Sequence, residues 1–289
     1  MSTRRPWEPG SLWQKLKAQT AHGLSTGDLQ PIKTEVHHVE DNGVRFIIYV
    51  LSSISRKEKA RKEQGKTKPA NPFLPYEPDL YVTDISDSHL CLLNKFNVVD
   101  HHFLIVTREF EPQENWINLA DFEALTKCLN EVDGLAFFNG GKVAGASQPH
   151  KHLQIVPRIG EMAEVPIERV IEKAEEVNGV MRSPLLPFKH AALPLEKPNA
   201  KHCLNTYHQL LKAVDITSET NWQGEQTAPY NFLCTQRWMM IVPRSQEKHA
   251  DISVNSLGFA GSLLVRDQEK LSQLKEIKPV NLLKHVAVN

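Results

Sequence analysis

Ser147-Gln148-Pro149-His150-Lys151-His152-Leu153-Gln154 is the passage of this 289-residue chain best equipped for chemistry. On an extended strand, side chains alternate between faces, about 7 Å separating successive members of one face. His150, His152 and Gln154 therefore project together, while Lys151, Leu153 and Ile155 point the other way. Each unpartnered polar group on a buried face would cost roughly 1–3 kcal/mol. Three readings of this face stand side by side. It is a wet strand edge with incidental histidines, or a metal-ligand pair of the H-x-H kind found in β-barrels, or a nucleophile. Metal ligation lacks a nearby carboxylate, since Val156 stands four residues after His152. A neutral imidazole attacks phosphorus well and forms a labile N–P bond, provided its second nitrogen is held as N–H. The neighbourhood suits that chemistry. Asn139-Gly140-Gly141 and Gly145-Ala146-Ser147 permit close backbone approach to a phosphate. Ser147, Gln148 and Gln154 supply neutral donors and Lys142 a positive charge; donors aimed at developing charge contribute about 3–4 kcal/mol each.

Elements on both sides must hold this passage in place. Leu135–Phe138 reads as one strand, Asn139–Gly141 as a turn, and His150–Pro157 as the partner strand. Asn118–Val132 places Leu119, Phe122, Leu125, Leu129 and Val132 on one helical face, with Asn118 as cap and Gly134 as stop. Val44–Leu51 is a β-branched and aromatic strand after the Asp41-Asn42-Gly43 turn. Leu90–Phe96 and Phe103–Thr107 are two more strands, and Ser11–Ala21 is a short packing helix. Arg56–Lys68, with seven Lys/Arg and two Glu, is too polar to pack and is expected to be a basic loop. Further on, Glu161–Val177 reads as helix, Ser183–Pro198 with four prolines as an irregular crossing, and His202–Val214 as an amphipathic helix. Tyr230–Val242 holds two strands, and Asp267–Val286 is helical in its first half. Ile155-Val156-Pro157-Arg158 recurs as Ile241-Val242-Pro243-Arg244, an echo that fits a duplicated sheet. Helices alternating with hairpins indicate an α+β fold.

Composition narrows the function. Thirty-four Lys+Arg balance 34 Asp+Glu, which argues against coating nucleic acid or an anionic membrane. No apolar run is long enough to span a bilayer, and the N-terminal residues lack the apolar core of a secretory signal. Cys91, Cys128, Cys203 and Cys234 are widely spaced, as expected of reduced thiols in the cytoplasm. Neither G-x-G-x-x-G nor a Walker motif is present. His101-His102 and His37-His38 read as turn or surface residues, and Trp238-Met239-Met240 as core. For Tyr230 and Asn231, packing and ligand contact are both open.

The combination resembles the histidine-triad superfamily, in the branch where glutamine replaces the third histidine. More closely it is similar to the diadenosine tetraphosphate phosphorylases, or ATP adenylyltransferases. The matching passages are NPFLPYEPDL from Asn71, LLNKF from Leu92, ASQPHKHLQIVP from Ala146, YNFLCTQRWMMIVPRS from Tyr230 and ISVNSLGFAGSLLV from Ile252. The resemblance implies a mostly antiparallel sheet with flanking helices and a duplicated half-barrel. Residues 1–165 would carry H-x-H-x-Q and residues 166–289 would complete the fold. His152 would attack an α-phosphate to form a nucleotidyl-histidine, with the His150 carbonyl fixing its tautomer. Gln154, Ser147 and Gln148 would hold phosphate oxygens, Asn94 and Lys95 would line the nucleotide pocket, and Asn139, Gly140 and Gly141 would form the phosphate-facing loop. Phosphate would then release ADP, ATP having left first. The ligands implied are a dinucleoside polyphosphate, ATP, ADP and phosphate, with a divalent cation such as Mg2+ screening the charge; no dedicated metal ligand set is visible. A family loop of Asn-Ser-Gly is replaced here by Asn139-Gly140-Gly141, which removes one hydroxyl. A related nucleotidylyltransferase with another acceptor or a sugar-phosphate substrate shares H-x-H-x-Q, and a weakly active dinucleotide-binding protein would also keep the fold.

Overall fold

The computed structural model describes residues 4–52, 71–196, 199–218 and 221–289; the basic segment Arg56–Lys68 lies outside them. In chain order the strands are β1 (Thr34–Asp41), β2 (Val44–Leu51), β3 (Tyr81–Asp84), β4 (His89–Leu93), β5 (Phe103–Thr107), β6 (Gly134–Asn139) and β7 (His152–Pro157). They continue with β8 (Glu175–Val177), β9 (Val180–Arg182), β10 (Ala191–Pro194), β11 (Tyr230–Cys234), β12 (Trp238–Pro243), β13 (Lys248–His249), β14 (Ile252–Ser253) and β15 (Ser262–Val265). Ten of them form one antiparallel sheet in the order β3-β4-β5-β7-β6-β11-β12-β10-β9-β8. A second sheet, β1-β2-β15, joins β15 to β2 in parallel.

Side-chain alternation on the central strands separates two cores. Ala136, Phe138, Leu153 and Ile155 enter the first, against helices Leu119–Glu131 and Ala200–Ala213. Leu135, Phe137 and Val156 enter the second, which packs beneath Phe46 and Ile48 of β2 and Leu263 of β15. The helix Leu119–Glu131 starts where Asn118 accepts from the Asp121 backbone N–H and the Asp121 carboxylate accepts in return from the Asn118 N–H, a box worth about 1 kcal/mol. Its C-cap, Val132, is extended, and Gly134 opens β6.

At the middle of the large sheet, β6 and β11 run antiparallel, with Ala136 opposite Cys234 and Phe138 opposite Phe232. A twofold rotation carries that register onto itself. It also carries β7 onto β12, because Ile155 lies opposite Ala136 as Ile241 lies opposite Phe232. The Ile-Val-Pro-Arg echo thus occupies equivalent strands.

Several expectations are revised. Glu161–Val177 is not one helix: a 3-10 turn (Gly160–Ala163), a short helix (Glu168–Ile171) and β8 share it. Pro166 interrupts the backbone donors there, and Asn178-Gly179, both at positive φ (53° and 76°), closes the β8–β9 hairpin. Strand β1 was hidden by its polar sequence, which suits a half-exposed strand beside β2. The C-terminal segment is helical throughout, in two pieces, Gln268–Ile277 and Pro279–Val286. All four cysteines are buried and free. Among the described residues no helix is long and apolar enough to cross a membrane.

Candidate active site

A cavity of about 500 Å3 opens between the second-core face of the large sheet and the edge formed by β15. His152 and Gln154 of β7 form part of its wall, together with Asn94, Lys95, His102, Asn139, Ser147 and Gln148. Phe73 stands over the histidines, its ring 5.2 Å from that of His152 and 5.6 Å from that of His150.

The backbone of His152 is clamped before its side chain does anything. Its N–H donates to Oε1 of buried Gln113 (2.9 Å), whose Nε2 donates to the Asn139 carbonyl (2.9 Å) and the His152 carbonyl (3.3 Å). The His152 ring donates from Nδ1–H to the His150 carbonyl (2.8 Å). The neutral ring therefore has its lone pair on Nε2, the nitrogen a nucleophile needs. His150 is turned elsewhere. It is fully buried, its Nε2–H donates to the Thr107 carbonyl (2.8 Å), and its Nδ1 accepts from Asn71 Nδ2 (3.0 Å). The Phe73 N–H donates to Asn71 Oδ1 (3.0 Å), which settles which end of that amide faces the ring. Lys151, on the opposite face, is fully buried too. Its ammonium meets Asp121 (2.6 Å), Glu111 (3.2 Å) and the Trp116 carbonyl (2.8 Å).

A second oriented amide belongs to Asn139. Its Oδ1 accepts from Asn231 Nδ2 (3.0 Å) and from the N–H and hydroxyl of Ser256 (2.8 Å each). Its NH2 is the end left to the cavity wall. Asn231 is itself fixed by the buried guanidinium of Arg244 (2.6 Å to Oδ1). Gly145, at φ 91°, lets the Ser147 loop lie against Asn255; a Cβ there would sit 2.8 Å from the Val254 carbonyl oxygen. Gly140 and Gly141 do other work. A Cβ on Gly140 would strike Gln226 (2.6 Å) and the Tyr230 carbonyl (2.9 Å), and Gly141 lies against Glu114. Neither is on the cavity wall, nor is His150, and Lys142 is exposed outside it. Tyr230 and Asn231 are buried supports. The sequence pattern did not single out His102, Asn71 or Gln113. Asn71 and Asn94, the latter bonded to His102, share one readable signal, an Asn-x-Phe turn, present as Asn71-Pro72-Phe73 and Asn94-Lys95-Phe96.

Burial pulls the His152 pKa down to about 4, against the smaller upward pull of its hydrogen bond to the His150 carbonyl; burial does the same to His102, also to about 4. Both rings are neutral well below the ordinary imidazole value. An unperturbed histidine at about 6.5 would be roughly nine-tenths protonated at pH 5.5. A reaction that uses the neutral His152 ring is expected to keep kcat/KM near its plateau at pH 5.5 and to lose it only nearer pH 4–5. An acid limb centred at 6.5 would contradict this. Stability runs with the same sign: below about 6.5 the unfolded chain takes up protons that the folded rings refuse, so stability is lost as pH falls from 6.5 towards 4.

A strand-borne neutral imidazole with its Nε2 lone pair free, on the wall of a cavity lined by oriented amides, has the equipment to transfer phosphorus-centred groups. The chain belongs to the Ap4A phosphorylase family: residues 2–173 match its N-terminal domain, and residues 184–289 match the ATP adenylyltransferase C-terminal domain. It is 29% identical over 299 residues to diadenosine 5',5'''-P1,P4-tetraphosphate phosphorylase 2 of Saccharomyces cerevisiae, covering 92% of this chain and 90% of that protein. The crystal structure of yeast Ap4A phosphorylase Apa2 is similar with a TM-score of 0.80 at 27% identity, covering 97% of this chain and 95% of that one. Apa2 in complex with Ap4A gives 0.80 at 25% identity, covering 97% and 98%.

Proposed function

We propose that this chain cleaves diadenosine tetraphosphate with inorganic phosphate to ADP and ATP, through an adenylyl group carried on His152. The carrying observation is the His152 Nδ1–H bond to the His150 carbonyl, which leaves Nε2 as a lone pair in the cavity. In the first step Nε2 bonds to the α-phosphorus and the bridging P–O bond breaks, so ATP departs as an anion. In the second, a phosphate oxygen bonds to the same phosphorus, the N–P bond breaks, ADP forms and the ring returns neutral. Nδ1–H stays on His150 throughout. Gln154 cannot titrate, and a polyphosphate leaving group is already a weak base, so no general acid is required.

Ser147, Gln148, Asn139 and Gln154 donate to phosphate oxygens in this reading, and Asn94, Lys95 and Phe73 bound the nucleotide. Lys95 is paired with Glu77 (2.6 Å) on the same wall, so its charge is partly neutralised. Among the described residues no group of three His, Cys, Asp or Glu is placed to hold a metal. These residues do not fit a resident cation, and a divalent ion such as Mg2+ belongs to the polyphosphate as part of the substrate. The cytoplasm, with its nucleotide and phosphate pools, is the compartment in this reading, and nucleic acid and membrane are not partners in it.

Product analysis is the test. Equal ADP and ATP from diadenosine tetraphosphate and phosphate are expected. An inert substrate overturns the proposal, and a sugar phosphate or sulfate as the preferred acceptor reassigns the second step.

A further inference from the structure

We propose that Asn94 and His102 are positioning residues that decide which end of the Gln154 amide meets the substrate. The proposal rests on the reading above and concerns how that site is oriented. The chain of donors begins at the backbone. The Phe96 N–H donates to Asn94 Oδ1 (3.3 Å), which commits Nδ2 of Asn94 to the other side, where it donates to Nδ1 of His102 (3.1 Å). A neutral imidazole that accepts at Nδ1 carries its proton on Nε2, and burial keeps this ring neutral. His102 Nε2–H then donates to Gln154 Oε1 (3.1 Å). With its oxygen taken, Gln154 has only its NH2 to offer the cavity it lines.

The direction matters because phosphate oxygens accept hydrogen bonds and do not donate them once ionised. A His102 ring of the other tautomer would accept from Gln154, turn the amide over, and aim its oxygen at the anion. The backbone also fixes where the ring sits: the Asn94 N–H donates to the His102 carbonyl (2.9 Å), and the ring lies 5.8 Å from that of Phe137. The same device serves the neighbouring histidine, where Asn71, oriented by the Phe73 N–H, donates to Nδ1 of His150. Two Asn-x-Phe turns thus set two tautomers.

The test is a double-mutant cycle on kcat for diadenosine tetraphosphate, with melting temperature followed for each variant. Gln154→Ala is expected to lower kcat about 100-fold, the order for one lost donor, and His102→Ala about tenfold, with KM nearly unchanged. In the Gln154→Ala background, His102→Ala is expected to change kcat less than twofold, because its effect runs through the amide. Full multiplication of the two losses, or a normal kcat for His102→Ala, overturns the proposal. Nitrogen-15 NMR of the substrate-free parent at pH 7 reads the tautomer directly, His102 being assigned by its disappearance in His102→Ala, or in His102→Gln if alanine does not fold. A proton on Nε2 is expected, and a proton on Nδ1 overturns the relay. Inert diadenosine tetraphosphate would sink the proposed reaction and leave this NMR result standing.

Discussion

His152→Ala is expected to lower phosphorolysis by on the order of 10^4–10^6-fold, the scale seen when a nucleophile is removed and only binding and oriented donors remain. The variant should fold, because the backbone at this position is held by Gln113 and not by the imidazole. Among the described residues, the ring bond lost is that to the His150 carbonyl. Substrate binding should persist, since the amides of Gln154 and Asn139 and the Ser147 loop are untouched. Incubation of the parent with substrate labelled at the α-phosphate, in the absence of inorganic phosphate, should leave acid-labile label on the protein, and the variant should hold none. A variant that turns over at the parent rate would remove the covalent step from the mechanism.

The second large effect is on stability. Lys151 and Asp121 are both fully buried and 2.6 Å apart, and Asp121 also accepts from His89 (3.0 Å) and caps the helix Leu119–Glu131. Burial pushes the Asp121 carboxyl upward, but the His89 hydrogen bond and the Lys151 charge outweigh it and hold the group below the usual range. Asp121→Ala leaves the buried ammonium to the Glu111 carboxylate and the Trp116 carbonyl and also removes the capping contact and the His89 bond, so it is expected to destabilise the fold by about 3 kcal/mol, the lower end of the range for breaking one side of a buried pair. Urea denaturation measures it. Lys151→Met combined with Asp121→Asn removes both charges, keeps a capping side chain, and should recover most of the loss. A single variant costing under about 1 kcal/mol, or a double variant no better than the single, would show that the pair contributes little.

What was legible in the sequence follows from which interactions are local. The helix Leu119–Glu131 could be placed from its cap and apolar stripe, and the central hairpin from alternation around Asn139 and His152, because cap, stripe and pleat are properties of short windows. The motif passage and its neighbouring Asn139 loop, with the family resemblance adding Asn94 and Lys95, led to one cavity, whose wall holds His152, Gln154, Asn139, Ser147, Gln148, Asn94 and Lys95. The sequence around His102 has the character of a turn, yet this residue begins the approach to β5, and β5 pairs with β7 with Leu104 opposite Gln154. Its contact spans 52 residues of chain, so no window contains it. His150 was placed on the face of His152, but β7 begins only at His152, and the preceding bridge to Pro112 turns the side chain towards Thr107. Lys151 gave no sign of burial, because its partners arrive from a helix and a loop 30 and 40 residues earlier.

The twofold relation between β7 and β12 limits stoichiometry. The positions related to His152 and Gln154 are Trp238 and Met240, buried groups with no nitrogen able to attack phosphorus. On the proposed mechanism one half of the duplicated sheet carries the reactive imidazole and the other serves as its buttress. Labelling should therefore saturate at one adenylyl equivalent per polypeptide, however the chains associate.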